Sequence, residues 1–332
     1  MFKKIQAPSL LRSNDWWEPK IIPLLVVGYL TILFCDENII AHIGWLLFLI
    51  AAIATGAVYV SILNDFTDLK FDLASGKANR LEKFSPLKRK LLLLGSIILA
   101  VVFCLFFVKD RLSLTFYLAA YAAFSLYSIA PFRLKNRGVL GVIADASGAH
   151  LFPSLFIVAS MTHKMGTEIN FYWLMLIGIW SFSYGLRGIL WHQFWDREND
   201  LSINHKTFAT SMRVSKMVPV ERIITIIEIC ALVLILLVLR ELLPFVAILF
   251  YILVLFGYRK LKHKIIFILS KDGLWHIFMS DYYQILLPFS LIITCSFQYP
   301  FCSILLVVHL LLFPVKIKLF IRNLLLMMHL KK

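Results

Sequence analysis

The chain has 332 residues, 60% of them hydrophobic and only 16% charged, with a mean hydropathy of +0.82. A soluble globular chain carries about 45–50% apolar and about 25% charged residues, so an ordinary soluble domain is excluded and an integral membrane protein is indicated. The net charge of +15 does not call for a nucleic-acid partner, because Lys and Arg collect on the cytoplasmic side of membrane proteins.

Residues 1–20 lack the apolar core of a cleavable signal peptide, so this segment reads as a cytoplasmic N-terminal stretch and the span that follows as retained. Trp16 and Trp17 suit an interfacial anchor. Runs of about 20 apolar residues, the length a membrane-crossing helix needs, fall at 21–35, 42–63, 90–108, 112–130, 138–160, 171–191, 220–239, 242–256, 274–297 and 299–316. The expected fold is therefore all-α, a bundle of nine or ten transmembrane helices. Residues 21–316 form one domain and 317–332 a basic cytoplasmic tail. With a cytoplasmic N-terminus, 28 of the 34 basic residues fall on one side of the bilayer, which places both termini there. The five cysteines are scattered and contain no CxxC pair, so neither zinc nor a disulfide framework is indicated.

Directly after the second span comes Asn64-Asp65-Phe66-Thr67-Asp68-Leu69-Lys70-Phe71-Asp72. Continued as a helix, this spacing puts Asn64, Asp68 and Asp72 on one face, with Asp65 one turn from Asp68. A second cluster, Asp196-Arg197-Glu198-Asn199-Asp200, ends the sixth span with the same i, i+4 pair of Asp. Like charges so spaced oppose helix formation unless a cation occupies them. One or two carboxylates each, completed by water and phosphate, describe Mg2+ rather than zinc. The bland alternative is a solvated acidic loop.

Other polar residues within spans are Asp145, His150, Arg187 and His192. Each costs roughly 2.5–3.5 kcal/mol on insertion scales and should face a cavity or a partner. Asp145 and Arg187 are candidates to pair with one another. Trp173, Trp180, Trp191 and Trp195 lead down the sixth span to the second Asp cluster. Any that face inward would shelter a carbocation through cation–π contacts of about 0.5–2 kcal/mol. Gly141, Gly148, Gly185 and Gly188 read as close helix packing.

Residues 64–72 complete an NDxxDxxxD motif, and in it the chain resembles the UbiA superfamily of intramembrane prenyltransferases. Asp196, Asp200 and Thr207 match that family's DxxxDxxxGxxT, with Asn204 where glycine is usual. Tyr127, Ser128, Pro131, Arg133, Lys135 and Arg137 match its YSxxPxRxKxR segment. The resemblance implies a central lipid-accessible cavity capped by the two Asp-rich loops. It also implies a Mg-dependent transfer of an isoprenyl group from its diphosphate to an aromatic or other lipophilic acceptor, with release of pyrophosphate. Asn64, Asp65, Asp68, Asp72, Asp196 and Asp200 would then bind the diphosphate, all but Asp65 of them through Mg2+. Tyr127, Arg133 and Lys135 would be the catalytic groups, Tyr127 lining the chamber and the two cations neutralising the leaving pyrophosphate. The resemblance also admits a terpene cyclase or a phosphoribosyl transferase acting on a lipid phosphate. Asn204 and the His192-Gln193 pair before the second motif suggest a divergent branch, and the acceptor stays open. A CDP-alcohol transferase lacks its DGxxAR signature here, and a cation carrier conflicts with Asp clusters lying at the membrane boundary.

Overall fold

A computed structural model describes residues 17–329 apart from 75, 77, 203–205 and 270–272. Trp16, Lys77, Asn204, Lys271, Asp272 and the stretches 1–16 and 330–332 thus lie outside the described residues. The chain folds as helices in series: α1 (Ile22–Phe34), α2 (Ile39–Ala74), α3 (Pro86–Phe107), α4 (Arg111–Ser128), α5 (Val139–Ala146), α6 (Phe152–Met165) and α7 (Phe171–Trp195). Two short helices follow, α8 (Arg197–Ser202) and α9 (Phe208–Ser211), then α10 (Val214–Leu239) and α11 (Leu242–Lys260). After a small parallel pair of strands, β1 (Lys264–Ile266) and β2 (Trp275–Ile277), come α12 (Leu287–Gln298), α13 (Ile304–Leu312) and α14 (Pro314–His329). The architecture is the expected all-α multi-span bundle.

Among the described residues, seven helical stretches are long and apolar enough to cross a membrane. An eighth is added if α13 and α14, bent by 89° at Phe313, count as one broken span. The ten apolar segments of the sequence thus resolve into fewer spans, for local reasons. Pro314 has no N–H to continue the helical ladder, so α13 stops and the chain turns. Residues 274–279 are not helical: Trp275–Ile277 pairs with Lys264–Ile266. Behind this pair Tyr258 donates to Asp281 at 2.6 Å and stacks on His276 at 4.1 Å. Burying these polar groups against one another satisfies their hydrogen bonds in a way that a lipid-facing helix would not.

The core sits where α1, α6, α7 and α10 meet. Helix α1 is apolar on every face and buried on every face, with Val26, Val27 and Leu30 inaccessible. The Trp series of α7 belongs to this packing. Trp173 is buried and stacks on Phe34 with ring centroids 4.3 Å apart, and Trp180 meets Tyr283 edge-on. Arg187 pairs with Glu228 of α10, not with Asp145: its Nε and Nη2 donate to the two carboxylate oxygens at 2.6 and 2.8 Å. Tyr283 donates to the same carboxylate at 2.8 Å, so both charges are buried with partners.

Helix α2 is 36 residues long, about 54 Å at 1.5 Å per residue, well beyond the roughly 30 Å hydrocarbon layer. Its surplus length carries residues 64–72 out of the apolar layer at one end. At the chain's extremes a clasp forms. The Glu18 carboxylate accepts from the backbone N–H groups of Val315 and Lys316 at 2.9 and 2.7 Å, capping α14, and the Trp17 indole donates to the Leu312 carbonyl at 3.1 Å. The segment expected as a tail is therefore helical to His329, with Ile317 and Phe320 buried.

Candidate active site

The two Asp clusters open onto one cavity of about 660 Å3. Asn64, Asp65, Asp68 and Asp72 reach it from the end of α2, and Asp196, Asp200 and Thr207 from the far side. Helix α7 delivers the second cluster. Asp196 is its C-cap, and the Asp200 N–H bonds the Asp196 carbonyl at 2.9 Å, so the i, i+4 stacking continues across the joint with α8. Gln193 and Arg197 hold α9 beside this joint, the first accepting from the Ala209 N–H at 3.3 Å and the second donating to its carbonyl at 2.8 Å.

The carboxylates of α2 do not converge on one another. Each is drawn to a basic or amide partner. Lys135 donates to both oxygens of Asp68 at 2.6 Å, and Arg133 donates to one of them at 2.7 Å. Arg80 grips Asp65 at 3.0 and 3.2 Å, while Asn79 donates to the Asp65 carbonyl at 2.9 Å and to the Asp72 carboxylate at 2.7 Å. The Ser128 hydroxyl donates to the side-chain oxygen of Asn64. Among the described residues, no three acidic, His or Cys side chains therefore lie close enough together to hold a metal in this arrangement. Asn79 and Arg80, on the loop that leads from α2 to α3, carry no sequence signal that marks them as part of the site.

The segment after α4 positions Lys135 through tight turns. Arg133 adopts a left-handed conformation, φ 37°, and Lys135 sits in the single 3-10 turn Leu134–Asn136. Gly141 lets α5 close on this turn. A Cβ there would lie 2.6 Å from the Leu134 carbonyl oxygen, so no larger residue fits. Gly148 is nearly as crowded, its Cβ position 2.7 Å from the Phe124 ring, and Gly185 is tight at 3.0 Å from the Ala146 carbonyl oxygen, but Gly188 has open space around it and is not a packing glycine. Burial lowers the Lys135 ammonium below the ordinary lysine value, against the opposing pull of Asp68.

Beneath the polar mouth the cavity is aromatic. Phe116, Tyr117, Tyr121, Phe124 and Tyr127 of α4 line it together with Phe156 of α6. Two of the tyrosine hydroxyls are tied off along the α2–α4 seam, Tyr121 to Thr55 at 3.2 Å and Tyr117 to Tyr121 at 3.1 Å. None of the four Trp residues of α7 lines the cavity. Trp191 and Trp195 instead pack on one another and on Trp275. A wall of different character carries Lys20, Asp145 and His192.

A search of curated protein sequences gives no match. Two solved structures share the fold, both of a UbiA homolog from Archaeoglobus fulgidus, one bound to GPP and Mg2+ and the other to DMAPP and Mg2+. Each aligns with a TM-score of 0.51 at 13% identity, over 89% of this chain and 98% of that one. The profile of the UbiA prenyltransferase family matches residues 24–267, which takes in both Asp clusters, the Lys135 turn and the cavity-lining helices α2 and α4 to α7. The chain belongs to the UbiA prenyltransferase family.

Proposed function

We propose that the protein transfers an isoprenyl group from an isoprenyl diphosphate to a lipophilic acceptor and releases pyrophosphate. The observation that carries this reading is the juxtaposition of a carboxylate-and-lysine mouth and an aromatic-walled chamber within one cavity. The mouth suits a diphosphate with its metal, and the chamber suits an apolar chain.

The donor set fits Mg2+. Asn64, Asp68, Asp72, Asp196 and Asp200 offer only oxygen, the ligand a hard cation takes. Asp68 already holds two cationic side chains, so it is turned to receive positive charge. Bound there, the metal would neutralise charge on the diphosphate. Lys135 and Arg133 would add to this as the C–O bond breaks and negative charge grows on the leaving oxygen, where such groups stabilise the transition state more than the ground state. The rings of Tyr117, Tyr121 and Phe124 would face the allylic cation, each worth about 0.5–2 kcal/mol when water is excluded. Asp65 differs from its neighbours in being clamped by Arg80, and through that pair it fixes the loop beside the mouth. The basic-residue count supports an orientation with both termini and both Asp clusters in the cytoplasm.

The test is purified protein in detergent with labelled geranyl diphosphate and Mg2+. Pyrophosphate release that stops on chelation is expected. Absence of release from geranyl and from longer isoprenyl diphosphates would overturn the reading.

A further inference from the structure

Asp145 lies at the end of α5, inside the membrane-spanning stretch Val139–Met165, and faces the cavity. Among the described residues it makes no hydrogen bond and no ion pair. A carboxylate at that depth is expensive and normally either paired or functional. Arg187, the obvious mate, is taken by Glu228. The backbone below Asp145 is also unusual. Residues Ser147–Leu151 form a π-turn, a rare break in a helix that recurs at functional sites, and it brings His150 against α7 at Gly185.

The groups around Asp145 come from four elements. Lys20 faces it from the turn before α1, His192 from α7 and Tyr127 from α4, while His150 follows on the π-turn. Lys20 also makes no ion pair among the described residues, although it lies within the electric field of Asp145. An acid and a base thus face one cavity beyond contact distance of each other. Tyr127, Asp145, Asp68 and Asp200 all line this cavity, so Asp145 shares the chamber with both Asp clusters.

We propose that Lys20 and Asp145 bracket the acceptor subsite, which takes a hydroxyl-bearing head group, and that Asp145 is the catalytic residue receiving the proton the acceptor loses. This rests on the prenyl-transfer reading above. In the step, the allylic C–O bond breaks and its electron pair leaves with pyrophosphate. The nucleophilic atom of the acceptor bonds to the allylic carbon, and the proton that atom carried passes to a carboxylate oxygen of Asp145. Lys20, on the same cavity wall, holds the polar end of the head group.

The experiment compares wild type, Asp145→Asn and Asp145→Glu as full-length protein. The probes are labelled geranyl diphosphate with Mg2+ and a lipid extract of the producing cells as the acceptor pool. Donor binding, labelled conjugate and labelled geraniol are measured together. We expect Asp145→Asn to bind donor as wild type does and still release geraniol, while conjugate falls about 100-fold or more, the usual loss on removing a general base. Conjugate should recover about tenfold per pH unit as the acceptor hydroxyl, pKa about 10, ionises unaided. Asp145→Glu, which keeps the carboxylate, should retain most of the activity. Full conjugate formation by Asp145→Asn, joint loss of donor binding, or a loss that pH does not restore would each overturn the proposal. Wild type that releases pyrophosphate but yields only geraniol or a hydrocarbon would overturn the acceptor subsite and transfer to an acceptor, leaving the diphosphate site standing. Wild type that releases no pyrophosphate would overturn the prenyl-transfer reading and this proposal with it.

Discussion

Lys135 sets its ammonium nitrogen 2.6 Å from both carboxylate oxygens of Asp68, with Arg133 on one of the same oxygens. A lysine so placed competes with any cation for Asp68 until a diphosphate arrives to share it. Lys135→Met should therefore act in two directions. Mn2+ should bind severalfold more tightly, as read by electron paramagnetic resonance, while pyrophosphate release slows by about 100- to 1000-fold for want of a donor at the leaving oxygen. Weaker Mn2+ binding in this variant would contradict the competition.

Asp68→Ala and Asp196→Ala should each abolish pyrophosphate release, because each removes a carboxylate of the proposed Mg2+-diphosphate site from a different side of the mouth. Neither should change insertion or the elution profile in detergent. A fully active double variant would remove both carboxylates from the proposed diphosphate site.

Asp65→Ala should behave otherwise. It strips Arg80 of its carboxylate in a pair whose side chains are only 13% and 6% exposed. Breaking a buried pair costs about 3–5 kcal/mol, so a clear drop in thermal midpoint is expected. Removing both partners, as Asp65→Asn with Arg80→Gln, should recover much of it.

Glu228→Gln strands Arg187 in the bundle centre, and a loss of about 3–5 kcal/mol should again appear in thermal melts. Arg187→Met combined with Glu228→Leu should recover only part of that loss, because it removes the stranded charge but takes their partners from the Tyr283 hydroxyl and the Phe278 carbonyl.

Ala120→Phe puts a ring into the chamber wall between Tyr117 and Phe124. The longest isoprenyl diphosphate the protein uses should become shorter, with geranyl diphosphate still accepted. Competition between donors of different length measures the shift.

What can be read in the sequence is what is local. Asn64, Asp68 and Asp72 share a helix face because i, i+4 spacing dictates it, and the Asp196/Asp200 pair follows the same rule. Lys135 and Arg133 are reached only through resemblance, since nothing in a turn's spacing says which carboxylate it will meet. Asn79 and Arg80 escape because the return of a loop on its own helix has no period. The Trp series misleads: which side of α7 faces the chamber is decided by α1, α10 and β2, and the inward aromatics lie on α4 instead. Two further signals are present in the chain. Tyr117, Tyr121 and Phe124 stand at i, i+4 and i+7, and Glu228 is an acid in the apolar middle of a span, which by itself announces a buried partner.

The clasp of Glu18 and Trp17 on Leu312, Val315 and Lys316 has a consequence for biosynthesis. A ribosome delivers residue 18 long before residue 316, and chains fold broadly from the N-terminus as they emerge. The turn that carries Lys20, two residues from Glu18, thus waits for nearly the whole polypeptide before its last fastening arrives. Until then that flank of the chamber stays unlatched, so a stalled or shortened chain would present both Asp clusters beside an unfinished wall.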